Sequence, residues 1–171
     1  MIEIFVFSFL SVILFTPFGF ILTGNIKYNL YFFTKELIFG SILLSFIAIL
    51  INFFFPLNLF VNSIILFISI IVLINKRKRY INLKFLKFVI LISILITCLI
   101  TESNVYRPDA GLYHLPFIGI LNSEKITLGL SNLHFRYGHT SIIQYLSAIY
   151  NNVIFITFLY KFYNHQIHLG L

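Results

Sequence analysis

The residues best suited to chemistry crowd into one stretch. From Tyr106 to Asn122 the chain reads YRPDAGLYHLPFIGILN, with Arg107, Asp109, Tyr113 and His114 inside eight residues. A carboxylate of this kind can take up a proton, a guanidinium can grip an anion through paired hydrogen bonds, and a phenol and an imidazole can hold hydroxyl groups. Downstream, Asn132, His134, Arg136, Tyr137 and His139 add to the set. Each residue also has a plainer use. Asp109 suits a helix cap, Tyr113 and Tyr137 suit interfacial aromatics, and His114, His134 and His139 suit surface or packing positions. Arg107 and Arg136 suit lipid headgroups. A metal site has weak support, because His134 and His139 do not match HExxH spacing and no cysteine cluster exists. No cofactor is therefore expected, and a divalent metal is unsupported. GxSxG, P-loop and GxGxxG patterns are missing, which removes the soluble hydrolase, NTPase and dinucleotide-binding classes.

These residues are carried by a chain of 171 residues that is 60% hydrophobic and only 10% charged, with 22 phenylalanines. A soluble domain usually carries about a quarter charged residues. The composition therefore implies an integral membrane protein, with membrane lipids as its surroundings. The net charge of +7 does not point to nucleic acid. Four of the basic residues form one run, Lys76 to Arg79, directly after an apolar segment, where they read as a topology signal. The single cysteine, Cys98, cannot form an intrachain disulfide.

Four segments are long and apolar enough to cross a bilayer: about 2–22, 37–55, 57–74 and 85–100. Pro56 breaks the second from the third. The first lacks a basic leader and reads as a retained span rather than a signal peptide. Apart from Glu3 and Lys87, each within three residues of a segment's start, these segments hold no charged residue and no ionisable pair that could do chemistry. The two loops on one side carry eight basic residues, Lys27, Lys35, Lys76, Arg77, Lys78, Arg79, Lys84 and Lys87, so they are expected in the cytoplasm of a bacterium. The N-terminus and residues 101–152 then face outward. Over 153–171 a further apolar run from Val153 to Tyr160 gives way to the tail KFYNHQIHLGL, Lys161 to Leu171. It reads as a fifth span cut short, so an N-terminal fragment is expected.

Within the outer loop, Asp109 can cap a helix from Ala110 to about Leu121, with Pro116 straining its middle. A second helix begins near Ser141, where Ser141 and Gln144 fit a capping box. Ile142, Tyr145, Leu146 and Ile149 would form its apolar face, with Gln144, Ser147 and Asn151 on a more polar side. The expected fold is thus all-α: a polytopic transmembrane helix bundle with an external loop of short amphipathic helices.

The string DAGLYHLPFIGILNSEKITLGLSNLHFRYGHTS resembles sequences of polytopic bacterial membrane proteins of the GT-C glycosyltransferase-like group. Its Asp-x-x-x-Tyr-His-Leu-Pro element spans Asp109 to Pro116, and its Gly-Leu-x-Asn-Leu-His-x-Arg element spans Gly129 to Arg136. The resemblance covers roughly residues 100–150. It implies an enzyme that takes a sugar from a polyprenyl-phosphate donor and passes it to a glycan or lipid acceptor on the outer face. On this resemblance Asp109 is the catalytic residue, and Arg107, Tyr113, His114, Asn132, His134 and Arg136 bind substrate. Two other readings remain: a non-catalytic membrane component of polysaccharide assembly or export, and an inactive fragment.

Overall fold

The computed structural model describes residues 2–24, 29–102, 110–133, 135–138 and 141–151. Among the described residues every regular element is helical, as the all-α expectation requires. The first part contains α1 (Ile2–Thr23), α2 (Leu30–Asn52), α3 (Leu59–Asn75), the short α4 (Arg77–Tyr80) and α5 (Leu83–Glu102). The second contains a π-helical turn (Ala110–His114), α6 (Leu115–Ser123), α7 (Leu130–Leu133), a 3-10 turn (Phe135–Gly138) and α8 (Ile142–Asn151).

Asparagines set where the long helices start. The Oδ1 atoms of Asn29, Asn58 and Asn82 accept the backbone N–H groups of Phe32, Val61 and Phe85 at 3.0, 3.0 and 2.9 Å. Each takes one of the donors that a helix N-terminus leaves unpaired. The cap at Asn29 starts α2 seven residues before the expected 37, and the helix ends at Asn52, so Pro56 lies in the link to α3. At the end of α1, Gly24 adopts φ +57, open to glycine at little cost, and its N–H reaches the Phe20 carbonyl at 2.9 Å.

Among the described residues three helices are long and apolar enough to cross a membrane, over Ile4–Thr23, Leu30–Asn52 and Leu83–Glu102. They fall on the first, second and fourth of the spans expected, and the third falls on α3, a shorter apolar helix of 17 residues that rises about 25 Å at roughly 1.5 Å each, at the lower end of the lengths that cross a bilayer. Large side chains such as Phe46, Phe67 and Leu99 are exposed, and lipid is the natural cover for them.

The chain forms two compact units. One comprises Met1–Phe46 and Leu66–Arg107. There α1 packs along α5 around Val12, Phe33, Tyr80, Phe85, Phe88 and Val89. The Phe33 ring meets Phe85 edge-on at 5.2 Å between centroids. Glycines let α1 and α2 approach backbone to backbone: a Cβ at Gly19 would overlap the Glu36 carbonyl, and one at Gly40 would overlap that of Phe15. Small residues serve this purpose where lipid removes the hydrophobic drive for helices to associate. The Ser69 hydroxyl adds a tie to the Leu14 carbonyl.

The other unit comprises Ile47–Ile65 and Pro108–Leu171. Its α6 and α8 pack together and bury Phe117, Ile118 and Leu121 against Tyr145, Ala148 and Ile149. The helix expected over 110–121 forms, and its first five residues, Ala110–His114, take π geometry before running on through a helical His114 (φ −69, ψ −50) into α6. The π segment lies directly before Pro116, which lacks the N–H that a regular α-helical ladder would use. The expected cap, Asp109, lies outside the described residues.

The capping box of α8 forms. Gln144 Oε1 accepts the Ser141 N–H at 3.1 Å, and Ser141 Oγ accepts the Ile143 N–H at 3.3 Å. The face that α8 buries keeps Tyr145 and Ile149 of the expected set, but Gln144 joins them in burial while Ile142 is exposed. Reaching back to the cap turns the Gln144 side chain inward.

Two amides clamp this unit. Asn62 Nδ2 donates to the carbonyls of Leu57 and Ala148 at 2.6 and 3.0 Å, and Asn122 Nδ2 donates to the same two at 2.7 and 2.8 Å. Asn62→Ala and Asn122→Ala should each destabilise by about 1 kcal/mol, because the other amide still serves both carbonyls. The double variant should lose more than the sum, since it strips both carbonyls of side-chain donors. Denaturant titration in detergent checks this, and simple additivity would contradict it.

Candidate functional site

The π turn delivers two of the expected site residues. Tyr113 is half-buried and His114 exposed, with ring centroids 4.4 Å apart at 47°. Asn132 is exposed in α7, where its N–H donates to the Gly129 carbonyl at 2.9 Å. Arg136 lies in the 3-10 turn. Asp109, Arg107, His134 and His139 lie outside the described residues, as does the run after 152. Among the described residues no three of His, Cys, Asp and Glu gather to hold a metal ion.

His114 has a partner that the sequence did not announce. Its Nδ1 lies 2.9 Å from Gln144 Nε2, so the residue that caps α8 also joins α8 to the π turn. In the same unit a cavity of about 230 Å³ is lined by Phe117, Leu121, Ile126, Tyr137 and Tyr145, with Lys125 as its cation. The Phe117 and Tyr137 rings stack at 6.0 Å. Burial pushes the Tyr145 phenol above its ordinary value, which keeps it a neutral hydroxyl. An apolar cavity with a cation suits an amphiphile: methylenes against the rings and an acidic head at the lysine.

The other unit holds a charged pair that was not expected. Arg79 donates to Glu36 through Nη2 to Oε1, and through Nε to Oε2 at 3.4 Å. The Tyr80 hydroxyl donates to Oε2 at 3.2 Å. All three residues are buried, and the Arg79 guanidinium lies 5.4 and 5.3 Å from the Phe20 and Phe33 ring centroids. Burial, and then the adjoining Glu36 carboxylate, push the Tyr80 phenol well above its ordinary value, so it remains a donor.

Two readings are corrected here. A membrane-length helix, α2, does hold an ionisable residue, Glu36, paired with Arg79 of α4, and the Lys76–Arg79 run is more than a topology signal. Arg79 turns inward while Lys76, Arg77 and Lys78 stay exposed. The clue lay in LYFFTKELIFG, residues 30–40, where apolar side chains precede Lys35 and Glu36 as well as follow them. Charged side chains inside a span are costly and mark function or architecture. With three donors already on its carboxylate, Glu36 is a strut joining α2 to α4 rather than a base.

The long apolar helices and the polar groups paired inside them make this an all-α protein suited to a membrane. The chain belongs to the family described as a domain of unknown function (DUF8201), whose family model matches residues 1–165. No curated protein and no solved structure matches it.

Breaking the buried pair should cost far more than removing it. Glu36→Leu or Arg79→Met alone should destabilise by about 3–5 kcal/mol, because each leaves an uncompensated buried charge. The double variant Glu36→Leu, Arg79→Met should recover much of that loss. Unfolding in detergent reads the cycle; a double variant as damaged as the sum of the singles would refute the pairing.

Proposed function

We propose that this chain is a membrane glycosyltransferase of GT-C type that moves a sugar from a polyprenyl-phosphate donor to a cell-surface glycan or lipid acceptor. The observation that carries the reading is the pair of sequence elements Asp109 to Pro116 and Gly129 to Arg136. In support, the unit containing both elements has an apolar cavity with Lys125 on its wall, suited to the lipid phosphate of such a donor. Membrane lipids surround the spans, and no cofactor is required. The basic loops lie in the cytoplasm of a bacterial plasma membrane, and the N-terminus and residues 101–152 lie outside.

In the reaction the acceptor oxygen attacks the anomeric carbon. The bond from that carbon to the phosphate oxygen breaks through an oxocarbenium-like state, and the lipid phosphate leaves with the electron pair. Asp109 takes the acceptor's proton late, which a well-placed carboxylate of ordinary acidity can do. Arg107 or Arg136 stabilises the charge growing on the phosphate. Tyr113, His114, Asn132 and His134 hold sugar hydroxyls.

A second reading, a non-catalytic component of polysaccharide assembly or export, is favoured by the cavity wall itself, whose described residues include no carboxylate. Asp109→Asn separates the two. With insertion and folding intact, sugar transfer from a polyprenyl-phosphate donor in membrane preparations should fall by at least about 100-fold, the usual scale for a lost general base. Undiminished transfer or glycan assembly would remove the catalytic role. Topology has its own check: a single cysteine at position 109, with Cys98→Ser, should react with impermeant thiol reagents from outside, and labelling from the cytoplasmic face alone would overturn the orientation.

A further inference from the structure

A backbone amide decides which nitrogen of His114 carries the proton. The Ser141 N–H can only donate, and it lies 3.1 Å from one end of the Gln144 side-chain amide. That end must be the oxygen, so the other end, 2.9 Å from His114 Nδ1, is the NH2 group. An NH2 group has no lone pair to offer a ring N–H. His114 Nδ1 must therefore accept, and the neutral ring carries its proton on Nε2. Donation runs one way, from the Ser141 N–H that starts α8 to the Gln144 oxygen and from the Gln144 NH2 to His114 Nδ1, and both bonds are half-buried. Gln144 is itself buried, so water does not compete freely for its amide.

We propose that Gln144 is a positioning residue that fixes His114 as the Nε2–H tautomer, a one-way hydrogen-bond donor to an oxygen acceptor on the substrate. In this state Nε2 has no lone pair, so His114 is neither a general base nor a metal ligand through that atom. A sugar hydroxyl or a phosphate oxygen is the chemistry it takes. A carboxylate substrate oxygen would satisfy it equally, whereas an N–H donor would be rejected. The use of this donor at the site rests on the glycosyltransferase reading, but the tautomer does not.

The test is a spectroscopic one on the full chain in detergent micelles or nanodiscs. Histidine labelled with 15N is observed through two-bond couplings at about pH 8, above the ordinary histidine range, and the His114 signals are identified by their loss in His114→Gln. The wild type should show protonated Nε2 and unprotonated Nδ1. Gln144→Glu is the decisive variant. Glutamate is the usual partner in a capping box, so α8 keeps its start, but its carboxylate can only accept, and the ring should flip to the Nδ1–H tautomer. Gln144→Ala should leave a mixture of the two. A wild-type ring protonated on Nδ1, or the same tautomer in wild type and Gln144→Glu, would overturn the proposal. If the tautomers behave as stated while Asp109→Asn transfers sugar normally, the positioning role of Gln144 stands and the enzymatic reading alone falls.

Discussion

A carboxylate with no exposed surface, set in a chain that is mostly hydrocarbon, persists only if donors surround it. Glu36 meets that condition through Arg79 and Tyr80, and the condition spreads outward from there. Arg79 must turn inward, so α4 must close against α2. Phe20 and Phe33 then wall the guanidinium, and Phe33, Phe85 and Phe88 become the centre of the first unit. The backbone contact of Gly19 at the Glu36 carbonyl belongs to the same knot. Lipid offers no hydrogen bonds, so each polar group left there must be answered from within the chain.

The same rule shapes the second unit with neutral groups. Asparagine amides there hold carbonyls at Leu57, Leu121, Glu124 and Ala148, places where helices end or links turn. These clamps position the surface on which the candidate chemistry sits. The π turn accommodates Pro116 and so sets the direction of Tyr113 and His114. Gln144, spent on a cap at one end, orients the imidazole at the other. One glutamine thereby links the start of a helix to the donor pattern of a site residue, which is an economical way to hold a ring on a short surface element.

Much of this could be read directly from residue order. The apolar runs announced helices, Pro56 announced a break, and Ser141 with Gln144 announced the start of α8, because each depends on neighbours within a turn or two of chain. The start of α2 was legible in principle, since Asn29 is a good cap and LYFF is apolar, but Lys35 and Glu36 disguised the span. A charged residue in a hydropathy window counts against a helix whether or not a partner waits 43 residues away.

Sequence alone therefore determined that the chain is helical, apolar enough for a membrane, and rich in polar groups in one loop. Only the tertiary structure decided that Glu36 and Arg79 are a pair, that Gln144 faces inward rather than outward, and that the 110–121 helix opens in π geometry. The physical reason is the range of the interactions. Hydrophobic periodicity and capping are local and leave their pattern in adjacent letters, whereas the pairing of a buried charge or amide is settled by whichever distant group the folded chain brings within about 3 Å.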